Sequence, residues 1–390
     1  MIAENVPIGI NDFAALGKFC LSKDIKLIVV GPEGPLVNGI RDFFEADPQL
    51  KDILMVGPGK AGAQLEGSKD FSKQFMLRHH IPTAKARAFE ASDLNQAFDY
   101  ISTCKPPIVL KADGLAAGKG VIISLSQGEA KAVIKEMLVN KKFGEASAKV
   151  LIEEFLNGIE LSVFILADGR DYVILPEAKD YKRIGEGDLG LNTGGMGAVS
   201  PVSFANASFM SKIEERVVKP TIFGLIEEGI DYKGFIFVGI MNVGGEPFVI
   251  EYNARMGDPE TQAVMPGIKN DFVELLVAAA KGELKNKRVE IDEHHAVTVA
   301  LVSGGYPGEY KTGKSIVGLE KKVEALIFHA GTKKQNNNVL TDGGRVLAIT
   351  GKGNSLEEAR AQVYQTAAQV YWEGLYYRKD IGQDLMNYKG

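Results

Sequence analysis

The sequence is short of the residues that mark several kinds of protein. It holds 2 cysteines, Cys20 and Cys104, in 390 residues. That excludes a disulfide scaffold or a cysteine-based metal site and fits reduced thiols in a cytosolic chain. The 5 histidines are His79, His80, His294, His295 and His329. None stands in a zinc-type spacing or beside a serine or cysteine nucleophile motif. His79 and His80 fall at an expected helix end, where positive charge is favourable, and read as structural. No apolar run reaches the length of a membrane span. The N-terminus has no basic segment followed by an apolar one, so a cytoplasmic protein is expected. The net charge of −5 leaves no basic excess for nucleic acid or a membrane surface. An anionic ligand would have to be met by local basic groups. There is no internal repeat and no low-complexity tract.

What is present is an ordinary globular mix, 45% hydrophobic and 24% charged, long enough for two or three domains. The first part alternates. A helix-like stretch from Asn11 to Phe19 precedes the strand Ile25–Val30, which ends at Gly31-Pro-Glu-Gly-Pro35. A helix over 37–44 and a strand over 53–56 follow, and the pattern predicts a parallel α/β sheet. Gly31, Pro32 and Glu33 then lie at a strand's carboxyl end, where such sheets bind ligands. Further on, Ser68, Ser126 and Ser355 stand as N-caps ahead of helical stripes. Strands are expected at 108–111, 121–124, 150–155, 161–166, 235–243 and 248–253. Asn157-Gly158 and Gly244-Gly245 are hairpin signals. The middle of the chain therefore reads as mixed α+β, with a boundary in the polar segment 282–288.

The most informative stretch runs from Phe248 to Gln262. Glu251, Asn253 and Arg255 alternate after an apolar run, so on a strand they share a face. Magnesium takes hard oxygen ligands and fills its remaining positions with water and substrate phosphates. Arginine matches phosphate in bidentate fashion. Asp258 and Glu260 add two carboxylates within a turn. The alternative, an edge strand with solvated side chains, explains so many polar groups poorly.

A second glycine-rich segment, Lys111-Ala-Asp-Gly-Leu-Ala-Ala-Gly-Lys-Gly120, lies between two strands. It fails the Walker pattern in its glycine spacing, in the residue after Lys119, and in being followed by a strand. What remains is a β-loop-β flap over phosphates with Lys111 at its base, against a plain glycine-rich hairpin. Glu153, Glu154, Phe155 and Leu156, followed by Glu160, form an apolar segment with acidic interruptions that suits adenine and ribose. Taken alone it reads better as a surface hairpin. Asp180-Tyr-Lys-Arg183 and Gly190-Leu-Asn-Thr-Gly-Gly-Met-Gly197 form a long polar, glycine-rich connection over 180–197, which suits a backbone-lined pocket or a mobile surface loop equally.

Together these segments resemble the phosphoribosylamine–glycine ligase family of purine synthesis. Leu65-Glu-Gly-Ser-Lys69, the Lys111–Gly120 segment, Asn192–Gly197 and Arg255-Met-Gly-Asp-Pro-Glu-Thr-Gln262 all look like family motifs. So do Gly304-Gly-Tyr-Pro-Gly308, His329-Ala-Gly-Thr332, Gly343-Gly-Arg345 and Arg378-Lys-Asp-Ile-Gly382. The resemblance implies an ATP-grasp fold with a mobile glycine-rich lid, flanked by a parallel α/β N-terminal domain and a mixed α+β C-terminal domain. Expected boundaries are 1–62, 63–280 with the lid at about 84–152, and 281–390.

The activity it implies is ATP-dependent ligation of glycine to 5-phosphoribosylamine, through glycyl phosphate. Alternatives are another ATP-grasp carboxylate–amine ligase, or a nucleotide-binding protein without ligase activity. ATP would be held by Lys69, Lys111, Gly114, Gly118, Lys119, Gly120, Glu153–Leu156 and Glu160. Magnesium or manganese would sit on Glu251 and Asn253, with Arg255 and Lys111 acting on the reacting phosphate. Gly31, Pro32, Glu33, Asn192, Thr193, Gly194, Gly195, Met196, Asp258 and Glu260 are the substrate-side candidates. A monomer acting on small molecules is expected, with a dimer as the alternative. The family opens with a strand and a Gly-Ser-Gly-Gly-Arg-Glu-His-type loop. This chain starts at what looks like the next strand, so its first sheet is expected to lack that strand and to leave an edge exposed.

Overall fold

The structure, a computed structural model, describes residues 3–116, 120–386 and 388. Its N-terminal unit holds a parallel pair, Leu27–Val29 beside Leu54–Val56, in register Leu27 to Leu54. The helix before it, Phe13–Ser22, starts where Asp12 accepts the Ala15 amide. The single helix expected over 37–44 is two helices, Glu33–Val37 and Ile40–Ala46. Gly39 separates them at φ +84°, a conformation that glycine adopts without a Cβ penalty. Proline is tolerated early in a helix because the first amides lack intrahelical partners. The first of these helices therefore starts at Glu33 and carries Pro35, shortening the expected loop.

Two antiparallel four-stranded sheets follow. The lid sheet orders its strands Ala86–Glu90, Lys149–Glu154, Ile108–Ala112, Val121–Ser124. Helices Leu94–Thr103 and Gln127–Leu138 cover it. Ser126 caps the second helix by accepting the Glu129 amide, as its sequence spacing indicated. The lid keeps its own core, with Ile101, Ile108, Leu110, Ile134 and Ile152 fully buried. The other sheet orders Glu246–Asn253, Lys233–Val243, Ile159–Asp168, Tyr172–Ile174. Its first two strands are joined at Gly244-Gly245, both with positive φ, as a tight hairpin demands.

Asn157-Gly158 is not a hairpin. The strand before it belongs to the lid sheet and the strand after it to the second sheet. It is the crossover between the two bodies. The glycine there is needed for close approach, since a Cβ on Gly158 would lie 2.2 Å from the Asn242 carbonyl oxygen.

The third large sheet has five strands, ordered Leu326–His329, Arg345–Gly353, His295–Val302, Gly197–Ser200, Lys179–Asp180. It joins strands from the middle of the chain to strands beyond the polar segment 282–288. Trp372 and the helix Leu356–Ala367 pack into the same large core. Among the described residues, no helix is long and apolar enough to cross a membrane.

Candidate active site

The three sheets and the N-terminal unit enclose one large cavity of about 1500 Å³. Small-molecule sites more often span roughly 300–1,000 Å³, so there is room for more than one substrate. The strand Glu246–Asn253 gives it a floor. Glu251, Asn253 and, just past the strand end, Arg255 all line it. An extra residue in this strand, Ile250, makes a bulge where the pairing steps from Gly239 with Glu251 to Ile240 with Val249, and locally re-aims the strand.

Arg255 is bracketed. Its guanidinium lies 3.3 Å from Glu33 of the N-terminal unit and 3.1 Å from Glu66, at the end of the helix Lys60–Gly67. Glu66 also accepts the Ala254 amide at 2.8 Å. Burial pushes the Glu66 carboxyl up to about 7; Arg255 and the Ala254 amide pull it down, while Glu33 and Glu251 push it further up. Burial works against the charge of Arg255 as well, but Glu66, Glu33 and Glu251 hold it firmly protonated.

The opposite wall belongs to the lid. Lys111 reaches down to donate to the Ile250 carbonyl at 2.8 Å and pairs with Glu153 at 2.9 Å. Glu153 is buried and takes Lys73 on its other oxygen at 3.2 Å. Burial opposes ionisation of Glu153, but the two ammonium groups hold its carboxyl below the usual range. Removing one partner of a buried pair leaves an uncompensated charge, at a cost of about 3 kcal/mol or more. Glu153→Gln should therefore lower unfolding stability in urea by about 3 kcal/mol. A loss below about 1 kcal/mol would show that the triad is not held by charge.

Lys69 and Lys73 sit one turn apart on the helix Lys69–Arg78, so both face the cavity. Burial lowers the Lys69 ammonium from its ordinary range. Its Nζ donates to the Gly114 carbonyl at 3.1 Å, and Ser68 and Asp70 both bond the Asp113 carboxylate. The glycine segment is thus anchored at its base. Gly120 lines the cavity, whereas Gly114 does not, and Gly118 and Lys119 lie outside the described residues.

Of the segment expected to meet adenine and ribose, Glu153 and Glu160 line the cavity; Glu154, Phe155 and Leu156 do not. Both the amide and the carboxylate of Glu154 are taken up by the Lys85 backbone. Glu160 is paired with Lys182 at 2.5 Å.

On the far side, Asn192, Thr193 and Gly194 line the cavity, together with Asp258 and Glu260. Met196 is instead fully buried in the main core. Gly195 turns away at φ +113°, where a Cβ would lie 2.3 Å from Pro259 Cδ. The loop expected over 180–197 is largely ordered into short strands. Arg345 ties this wall together. It donates to the Gly194 carbonyl at 2.5 Å and to the Asp258 carboxylate at 2.6 Å. Burial pushes Glu260 up to about 8 and Asp180 up to about 6. Burial alone would lower Lys182, yet Asp180, Glu160 and Glu251 hold it well above its usual range.

The match to known proteins follows this layout. Residues 1–66, 67–261 and 296–384 match the N, ATP-grasp (A) and C domains of phosphoribosylglycinamide synthetase. A phosphoribosylamine–glycine ligase from Yersinia pestis is 44% identical over 383 residues, covering 97% of this chain and 88% of its own. The chain belongs to the phosphoribosylamine–glycine ligase family. A crystal structure of that family's ligase from Thermotoga maritima superposes with a TM-score of 0.84 at 36% identity, covering 97% of this chain and 90% of the other. The biotin carboxylase domain of Hydrogenobacter thermophilus 2-oxoglutarate carboxylase shares the fold at 15% identity, with a TM-score of 0.72 over 99% of this chain and 88% of the other. The member of the ligase family described here is thus an ATP-dependent ligase of the ATP-grasp type.

Glu66, Lys73, Lys182 and Arg345 were not singled out by sequence. Lys73 had a signal, its one-turn spacing from Lys69. Arg345 ends the Gly343-Gly-Arg345 motif. Glu66 sits in the Leu65–Lys69 motif, which named no partner for it, and Lys182 sits in a polar segment that showed nothing of its partners.

The donor set fits a hard divalent cation. Among the described residues there is no cluster of three or more His, Cys, Asp or Glu side chains suited to a metal. Glu251 and Asn253 supply one carboxylate and one amide oxygen at the cavity floor, and neither is tied up by a hydrogen bond or ion pair with another described residue. Magnesium is usually held by just one or two protein oxygens together with substrate phosphates.

Proposed function

We propose that this chain joins glycine to 5-phosphoribosylamine at the expense of ATP, giving glycinamide ribonucleotide, ADP and phosphate. The observation that carries this reading is the arrangement of Lys69, Lys111, Glu251, Asn253 and Arg255 around one cavity, in a chain of this family. Glycine's carboxylate attacks the γ-phosphorus, and glycyl phosphate and ADP form. The amine of 5-phosphoribosylamine attacks the acyl carbon, and phosphate leaves. Lys69 and Lys111 bind the phosphates, assisted by Gly114, Gly118, Lys119 and Gly120. Glu153 and Glu160 face adenine and ribose from the cavity wall, and Glu154, Phe155 and Leu156 act there only through the backbone that joins them. Glu251 and Asn253 would hold magnesium or manganese, which supplies Lewis-acid neutralisation of phosphate charge when bound. Arg255, fixed by Glu33 and Glu66, stabilises charge on the transferring group without needing to reorganise.

Gly31, Pro32 and Glu33 with Asn192–Met196, Asp258 and Glu260 form the substrate side. Gly195 and Met196 act there through the backbone that carries the loop. The units are taken as 1–62, 63–280 and 281–390, with the lid at about 84–152. The same reading makes the protein a cytoplasmic monomer acting on small molecules. ADP release should require both glycine and 5-phosphoribosylamine, and glycinamide ribonucleotide should accumulate in step with ADP. ATP binding with no such product from authentic substrates would overturn the reading in favour of nucleotide binding alone.

A further inference from the structure

The motif Arg378-Lys-Asp-Ile-Gly382 takes no part in the site as described so far. Arg378 is nonetheless only 1% exposed. Its guanidinium donates to the Arg183 carbonyl at 3.0 Å and to Asp188 at 2.7 Å, and two further bonds fix it to Asp380. Asp380 in turn accepts the Gly187 amide at 2.8 Å. One residue pair from the C-terminal segment therefore holds the first strand and the turn of a single hairpin. Tyr376 adds a bond from its hydroxyl to the Ile184 carbonyl at 3.0 Å.

That hairpin is Arg183–Gly185 paired with Leu189–Asn192, joined through Gly187 at φ +68°. Among the described residues it is a two-stranded sheet joined to no other. None of its side chains is fully buried: Ile184 packs partly against the main core, while Leu189 and Leu191 are 69% and 66% exposed. A bare two-stranded hairpin is marginal in water. Three glycines, Gly185, Gly187 and Gly190, raise the entropy that ordering it must overcome. Its order comes from outside, from charge-assisted bonds to a buried guanidinium. Yet this hairpin carries Arg183, Asp188 and Asn192 into the lining of the cavity.

We propose that Arg378 is a positioning residue for the substrate side of the site, clamping the hairpin 183–192 so that its cavity-facing side chains are set before substrate arrives. This rests on the reading of that wall as the one that meets glycine or 5-phosphoribosylamine. The rest of the ATP side lies on other elements; Glu160 alone approaches the clamped segment, through Lys182 one residue before the hairpin. Lysine cannot reproduce the forked, bidentate geometry, so Arg378→Lys tests the clamp while keeping the charge. Tyr376→Phe loosens the same hairpin by one hydroxyl and is the milder companion should the lysine variant fail to fold.

Two readouts are needed on the full-length protein. Amide hydrogen exchange over 183–192 should speed up in both variants. The KM for glycine or for 5-phosphoribosylamine should rise about tenfold in Arg378→Lys, and less in Tyr376→Phe, with the KM for ATP within about twofold. Unchanged exchange at the hairpin would overturn the clamp itself. Faster exchange with both substrate KM values unmoved would overturn the proposal at its other joint, showing that the wall does not meet substrate. An equal rise in the KM for ATP would reduce Arg378 to a general structural residue.

Discussion

Arg255→Ala should lower kcat by about 10³-fold, the range seen when an arginine that neutralises a transferring phosphoryl group is removed. The measurement is ADP release dependent on glycine and 5-phosphoribosylamine. Binding of ATP alone should change far less, because Lys69, Lys111 and the metal ligands stay in place. Unchanged turnover would remove Arg255 from the chemistry. The same variant should also show a pH signature in its stability. The Glu66 carboxyl ionises near 4.5 when unfolded and near 7 when folded beside Arg255. Its folded value is raised, so its ionisation costs stability as pH climbs from 4.5 through the folded value. Without Arg255, the attraction that opposes burial is gone and the folded value rises further. The variant's stability deficit should therefore be small at pH 5 and grow towards pH 8. A deficit that is flat across that range would mean that the Glu66–Arg255 contact is not electrostatic in origin.

Glu251→Ala should raise the metal concentration needed for half-maximal activity by about 100-fold. A ligand contributes at least as much as the outer partners whose loss typically costs 10–100-fold. Glu251 is the only carboxylate of the Glu251–Asn253 pair, so the charge balance with a divalent cation rests on it. Asn253→Ala should act in the same direction and less strongly. Titration of activity against magnesium and against manganese would read both. An unchanged metal requirement in Glu251→Ala would leave the pair without its assigned role. Glu251 is also one of the carboxylates that hold Lys182 protonated, so part of any residual effect on substrate KM should trace to that side.

The local parts of this architecture were legible because their causes are local. Ser68, Ser126 and Ser355 cap the helices expected of them, each accepting an amide three residues on. Gly244-Gly245 makes its hairpin because two positive φ angles suffice to close it. Asn157-Gly158 misled for the opposite reason. Its chemistry suits a turn, but whether the flanking strands pair is decided by sheets assembled from elsewhere in the chain. The floor of the site was readable from alternation along a single strand. The Glu66 contact to Ala254 was not, since its partners lie 188 residues apart and nothing in either segment names the other. The clamp on the hairpin was hidden for the same reason. A family-like motif at 378–382 was visible, but the hairpin it grips looked like loose glycine-rich chain.

The five-stranded sheet fixes an order of events during synthesis. Gly197–Ser200 sits between Lys179–Asp180, made just before it, and His295–Val302, made well after it. About 95 residues separate the strand from that later partner, which is roughly 5–20 s at ordinary translation rates. Through that interval the strand has a two-residue neighbour on one side and an open edge on the other. The lid, whose core draws on no residue beyond Ile152, can be complete long before. The nascent chain therefore carries a finished lid beside an unfinished substrate wall, and that exposed edge is where a chaperone or a stray strand would find it.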